Sequence, residues 1–262
     1  MILPALAILY QGVFGPSDFA TKLFDYSGVN GVPGYNVDAT RVLGFPAPNA
    51  KPSVPDNSDL FSFGWGGFVT VGFDRPIRNG PGADFIVFGN AFFAGGDPLS
   101  VWREPGFVEV GVDMDGNGVP SPSDKWYLLR GFPAPPFPLD PYYHGWFEPE
   151  IPWGYADCTP TDNTGNPLIP DDPFEPGIDP GSAGGDPMDL DWAVDWATGL
   201  RVGLREVHFV RITHALNAFH PIFGKSSTEV DAIAIVHPVG PLVASPELRG
   251  ESKNEVPPSG RG

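Results

Sequence analysis

The chain has 262 residues, of which 34 are glycine and 33 are proline, and 32 acidic against 15 basic side chains give it a formal charge of −17. The proline and glycine content excludes long helices, whereas 41% hydrophobic and 13% aromatic residues exclude a chain that is unable to form a core. Because so acidic a surface repels phosphate, the sequence predicts no nucleic-acid partner.

The two ends of the chain differ from the rest. Residues 1–13 are interpreted as a truncated export segment, because Ala5-Leu6-Ala7 has the small-x-small form of a signal-peptide cleavage site, although the apolar run before it is short. The polar tail 245–262 is predicted to be disordered. No stretch approaches the roughly 20 apolar residues of a membrane span, so none is predicted.

Residues 14–244 are predicted to form a single all-β domain. Short apolar or alternating runs, bounded by Gly, Pro, Asn and Asp, recur along this part, as is typical of sandwich strands. The predicted strands are 19–26, 68–73, 84–88, 107–112, 125–129, 206–213 and 229–236. We expect an antiparallel β-sandwich of the jelly-roll type.

A twelve-residue segment between two predicted strands has the spacing of a calcium loop. With Asp113 as position 1, oxygen-bearing side chains fall at positions 1, 3, 5, 9 and 12, glycine falls at 6, and position 7 offers a backbone carbonyl. The predicted ligands are therefore Asp113, Asp115, Asn117, Val119, Ser121 and Asp124. Strands rather than helices flank the loop, so the expected Ca²⁺ would stabilise the fold instead of acting as a sensor. The alternative is an acidic, glycine-rich turn without a metal.

Residues 131–188 are predicted to be a long acidic loop insertion. The segment 131–200 contains thirteen acids and neither Lys nor Arg, and a loop of this length is usually functional or disordered. Its abundant aromatic residues favour a packed loop. A second metal site there has as its candidate ligands Asp157, Asp162, Asp186, Asp189 and Asp191, and a solvated acidic surface is at least as good an explanation.

Several segments resemble a family of bacterial secreted and cell-surface β-sandwich proteins. The similarity extends in order over roughly residues 18–237 and rests on 66–77, 80–88, the calcium-type loop with Asp124-Lys125-Trp126-Tyr127, 189–195, 209–212 and 227–232. The resemblance implies an exported, calcium-binding sandwich without an established activity. The chain departs from the pattern at Gly89-Asn90, where relatives more often carry Glu-Asn, so any ligand role of that glutamate is lost.

Enzyme motifs are absent from the sequence. None of the five histidines has a tight zinc-binding spacing, and no nucleophile elbow, phosphate loop or dinucleotide fingerprint is complete. The single cysteine, Cys158, excludes an internal disulfide and lies among acids that disfavour its thiolate. We therefore expect a non-catalytic protein.

Three functions remain open from the sequence. The first is a calcium-binding secreted or cell-surface module for polysaccharide, with an aromatic platform of Trp146, Trp153 and Tyr155 that could equally cap the sandwich. The second is a calcium-dependent structural protein that self-associates or attaches to a cell-envelope component, which would make it a homo-oligomer. The third is a polysaccharide-active jelly-roll enzyme.

Overall fold

The computed structural model describes residues 14–32, 38–131, 153–217, 219–220 and 224–240. Within them the chain forms sixteen strands: β1 Lys22–Ser27, β2 Phe61–Phe63, β3 Phe68–Arg78, β4 Phe85–Phe88, β5 Phe92–Phe93, β6 Val101–Trp102, β7 Gly106–Val112, β8 Lys125–Leu129, β9 Tyr155–Ala156, β10 Asp186–Met188, β11 Ala193–Val194, β12 Glu206–His214, β13 Phe219–His220, β14 Gly224–Lys225, β15 Thr228–Val230 and β16 Ala232–Ile235. Segments 1–13 and 245–262 and the start of the 131–188 insertion lie outside the described residues.

The strands pair in antiparallel fashion, which confirms the predicted all-β class. One large sheet has the order β1-β3-β12-β7-β8-β11, with β9 added to β7, and a second sheet has the order β10-β4-β16. Three short pairs, β2 with β15, β5 with β6 and β13 with β14, complete the described strands. The jelly-roll connectivity stays a prediction.

The main core lies between the large sheet and the β10-β4-β16 sheet. Alternation places Val69 and Val71 of β3 on the inner face of the large sheet, and both side chains are fully buried. Phe85 and Val87 of β4 belong to the same buried cluster. The two sheets therefore pack face to face, as expected of a sandwich.

The outer face of the β10-β4-β16 sheet is buried as well. Ile86 and Phe88 of β4 point away from the main core and form a second apolar cluster with Phe19 and Ala183. Ala183 belongs to the acidic insertion, so the described end of that insertion is a packed layer over the sheet. Residues 132–152, which hold most of the aromatic residues of the insertion, lie outside the described residues, so the packed loop stays a prediction for that part.

Helical structure is limited to single turns in the described residues. Four 3₁₀ helices occur, at Pro16–Asp18, Ala39–Val42, Ala94–Gly96 and Leu190–Trp192. None of the helices in this part of the chain has the length and apolar character needed to cross a membrane.

Candidate metal site and adjoining groove

The predicted calcium loop connects two neighbouring strands of the large sheet. Its stem is the antiparallel pair β7 and β8, in which Val112 lies opposite Lys125. Both strands were expected from their apolar alternation, and no helix flanks the loop. The loop therefore stands at one end of a rigid hairpin, where the strands fix its two ends.

Three carboxylates meet inside the loop. One oxygen each from Asp113, Asp115 and Asp124 lies within 4.8 Å of the other two, and among the described residues no other set of three His, Cys, Asp or Glu side chains does so. At this separation each pair of like charges costs about 1 kcal/mol even in water. A cation at their centre would turn this repulsion into attraction.

Backbone amides hold the first carboxylate in place. The two oxygens of Asp113 accept hydrogen bonds from Gly116 N and Gly118 N, both at 2.8 Å. Gly118 is at position 6 and has a φ of 74°, a left-handed conformation that favours glycine. The glycine of the spacing pattern therefore has the turning role that the sequence assigned to it.

Hydroxyl groups orient the second carboxylate. Oδ2 of Asp115 accepts hydrogen bonds from Ser121 Oγ at 3.0 Å and from Ser123 Oγ at 2.7 Å. These bonds, that of Ser123 first, lower the pKa of Asp115, so its ionised form is favoured. Asp124 closes the ring, since its oxygens accept from Met114 N at 2.9 Å and from Ser121 N at 2.7 Å.

The remaining predicted ligands lie in the same loop but outside the carboxylate triad. Asn117 Oδ1 accepts a hydrogen bond from Val119 N at 2.7 Å, which tightens the turn between them. The sequence pattern missed two residues. Ser123 bonds Asp115 directly, and His208 on β12 accepts a hydrogen bond from Asp113 N at 3.2 Å. His208 could not be found from spacing because it lies on another strand.

A groove of about 350 Å³ runs beside the loop on the outer face of the large sheet. The loop supplies one rim, and the sheet supplies the other lining residues: Phe24, Asp25, Thr70, Trp126 and Arg211. The Arg211 guanidinium carbon lies 4.4 Å from the Trp126 ring centroid, and Arg211 Nε donates to Thr70 Oγ1 at 2.9 Å. The floor thus combines an aromatic surface with charged hydrogen-bond donors.

The aromatic platform predicted from the sequence is not assembled in the described residues. Tyr155 is only 1% exposed and packs on Phe107, so its ring is unavailable to a ligand. Trp153 is half-buried against Trp192, with ring centroids 4.7 Å apart. Trp146 lies outside the described residues. Burial explains the difference for Tyr155, because its ring belongs to a buried apolar cluster with Phe107 and Leu128.

The five acids predicted for a second metal occupy separate places. Asp157 and Asp186 are buried near each other, and burial, then the charge of Glu229 and to a smaller extent that of Asp186, raise the pKa of Asp157. Asp189 caps the turn at 190–192, where its Oδ1 accepts from Asp191 N at 2.8 Å, whereas Asp191 Oδ1 accepts from Asn79 Nδ2 at 2.9 Å. Asp162 lies elsewhere, on a cavity of about 810 Å³. The five side chains therefore do not form one coordination sphere.

That larger cavity is lined mostly by apolar surface, which makes it a weak candidate for a functional site. Its walls include Phe14, Phe45, Pro46 and Pro48, and Asp162 uses Oδ1 to accept hydrogen bonds from Thr164. A mostly apolar cavity with one engaged carboxylate suits neither a hard cation nor a polar polymer. The hairpin loop and its groove are the better candidate site.

No protein-family model matches the chain, and no curated protein matches it either. Function is therefore inferred from the hairpin, where Asp113, Asp115 and Asp124 converge, and from the groove beside it. The family resemblance of the sequence stays an expectation.

Proposed function

We propose that this protein is an exported, non-catalytic β-sandwich module that binds Ca²⁺ in its β7–β8 hairpin and a carbohydrate polymer in the adjoining groove. The observation that carries the proposal is the convergence of Asp113, Asp115 and Asp124 on one rigid hairpin. Several oxygen ligands supplied by a single loop favour Ca²⁺, which accepts six to eight oxygens in variable geometry, over the smaller, strictly octahedral Mg²⁺.

The exposed position of the loop supports a Ca²⁺ affinity of the kind found in extracellular proteins. Asp115 is solvent-exposed, while Asp113 and Asp124 are partly buried, so the ion would remain in contact with water. Sites of extracellular modules bind Ca²⁺ with dissociation constants of about 10⁻⁴ to 10⁻³ M. We expect affinity in that range, which matches a protein stabilised by the calcium outside cells.

The groove supports a sugar ligand through its mixed chemistry. Aromatic edges from Phe24 and Trp126 offer apolar contact to a sugar ring, while Asp25 and Arg211 can accept from and donate to its hydroxyl groups. Ser121 lines the groove and bonds both Asp115 and Asp124. An ion in the loop would therefore fix one rim of the groove.

The calcium site is tested by thermal unfolding of Asp115→Asn and of the unsubstituted protein, with Ca²⁺ and with excess EDTA. At a Ca²⁺ concentration one hundredfold above the Kd of the loop, the loop site stabilises the unsubstituted protein by about 2.7 kcal/mol, or roughly 5–10 °C in Tm, and the variant lacks this part of the gain. Asp97→Asn is the matched control, because Asp97 caps another exposed turn by accepting from Leu99 N. An unchanged melt in EDTA, with no metal by elemental analysis, would refute the site.

The groove is tested on a glycan array with Ca²⁺ and with EDTA. We expect calcium-dependent binding that falls at least tenfold in Trp126→Ala, because the floor of the groove loses its aromatic surface. Trp196→Ala is the matched control, since Trp196 is exposed and bonds Glu109 away from the groove lining. Absence of any calcium-dependent glycan would exclude the sugar ligand, and calcium-dependent sedimentation as a larger species would favour the assembly role.

A further inference from the structure

A second group of carboxylates lies inside the protein, away from the hairpin loop. Glu104 follows β6, Asp157 follows β9 and Glu229 lies within β15. Asp157 and Glu229 are 1% and 2% exposed, whereas Glu104 is only partly buried. Ser227 joins two of them, because its N donates to Glu104 Oε1 at 3.0 Å and its Oγ donates to Glu229 Oε1 at 2.7 Å.

The Asp157 carboxylate is fixed by backbone amides. Oδ1 accepts hydrogen bonds from Asn90 N at 3.0 Å and Ala91 N at 2.9 Å, and Oδ2 accepts from Glu229 N at 3.0 Å. A β-carbon on Gly89 would lie 2.5 Å from Oδ1, so only glycine leaves room for this carboxylate. The geometry holds Asp157 rigidly and keeps it next to the strand of Glu229.

The Glu229 carboxylate is only half satisfied. Oε1 accepts from Ser62 Oγ at 2.6 Å and from Ser227 Oγ at 2.7 Å. Oε2 is buried and has no hydrogen-bond partner. A buried polar oxygen without a partner is costly, and it is rare in folded proteins unless an ion or water satisfies it.

The unsatisfied oxygen belongs to a carboxylate that lies beside two others. Burial and then the charge of Glu104 raise the pKa of Glu229 far above its usual range, and burial and then Asp157 raise the pKa of Glu104 to about 8. A cation would compensate all three acids at once.

We propose that Glu104, Asp157 and Glu229 bind a second hard divalent cation of the calcium type, with Oε2 of Glu229 as its central ligand. The donors are oxygens only, which suits Ca²⁺ rather than a thiolate- or imidazole-binding metal. The three carboxylates do not all lie within 4.8 Å of one another, as those of the hairpin do, so a bound ion must draw them closer together.

The site is tested with Ca²⁺ alone on the full, chelator-treated chain. The double variant Asp113→Asn/Asp115→Asn removes the hairpin site, so any remaining tight Ca²⁺ reports on the buried acids. We expect one Ca²⁺ per chain by calorimetry and elemental analysis, together with a calcium-dependent rise in Tm. Adding Glu229→Gln should weaken this binding about 100-fold or more, because it removes the central ligand charge.

Thermal unfolding in EDTA distinguishes a metal ion bound to these acids from protons shared among them. In EDTA, Glu229→Gln should raise Tm, because a neutral amide avoids the free-energy cost of protonating this carboxyl on burial, whereas in Ca²⁺ it should lower Tm. Asp171→Asn, a buried acid outside the cluster, is the matched control and should keep the stoichiometry. If Glu229→Gln fails to fold, Glu104→Gln provides the same comparison at a partly exposed position.

One result would overturn the buried site. A hairpin double variant that binds no Ca²⁺ and melts identically with Ca²⁺ and EDTA overturns the buried site and leaves the three acids to share protons. The hairpin site is unaffected by that result, since it is measured on the unsubstituted protein and on Asp115→Asn.

Discussion

At the scale of single residues, burial determines the hydrogen bonds and the protonation of polar groups such as His214. His214 ends β12 and is 1% exposed, with Nδ1 at 2.8 Å from Thr228 Oγ1. Thr228 donates its own hydroxyl proton to Glu104 O at 2.8 Å, so the proton between the two residues belongs to His214 Nδ1. Burial lowers the pKa of the imidazole to about 4, so the ring is neutral at neutral pH.

This histidine predicts a loss of stability in acid. Its pKa is about 4 when folded and about 6.5 when unfolded, so its contribution is complete above pH 6.5 and is lost as the pH falls towards 4. Between pH 7 and 4.5 the loss should be roughly 2–3 kcal/mol. The variant His214→Asn keeps a donor near Nδ1 but has no imidazole to protonate. In urea unfolding, its free energy of unfolding should therefore fall less between these two pH values than that of the unsubstituted protein, by that amount. An equal decrease in both proteins would contradict the assignment.

At the scale of secondary-structure elements, the hydrophobic row across the central strands fixes the register. Ile212 of β12 lies opposite Val69 of β3 on one side and Val108 of β7 on the other, and all three side chains are fully buried. Because side chains alternate along a strand, a one-residue slip would expose this row to solvent. The same alignment holds the stem of the calcium hairpin through β7.

Ile212→Ala should therefore destabilise the protein by about 2–5 kcal/mol, the usual cost of an alanine cavity in a core. Ile169→Ala is the matched control, because Ile169 is 43% exposed and its truncation should cost less than about 1 kcal/mol. Both values are measured by chemical denaturation in saturating Ca²⁺. Similar values for the two variants would show that the row is not part of the cooperative core.

At the scale of the whole molecule, the charge of −17 is divided between surface and interior. The acidic insertion covers the outer face of the β10-β4-β16 sheet, and among its acids Asp157, Asp171 and Asp186 are buried. The opposite layer, the large sheet, leaves a groove open beside the hairpin loop. One side of the sandwich is therefore closed by the insertion, and the other is available for binding.

The sequence by itself determined those features that depend only on residues close to one another along the chain. Period-two alternation predicted the long strands β3, β7 and β12, because alternate side chains of a strand face opposite sides. The hairpin triad was also predictable, since its ligands lie within one twelve-residue loop whose glycine permits the turn. The loop spacing alone could not include His208, which reaches Asp113 from another strand.

Only the tertiary structure decided which distant residues meet. Glu229 and Asp157 are 72 residues apart and are joined by a hydrogen bond from Glu229 N to Asp157 Oδ2, a contact that no spacing pattern indicates. The structure also placed Tyr155 in the core and assembled the groove from Phe24, Trp126 and Arg211 on three strands. The physical reason is that burial and contact across a sandwich depend on sheet order and register, whereas a sequence window records only local periodicity.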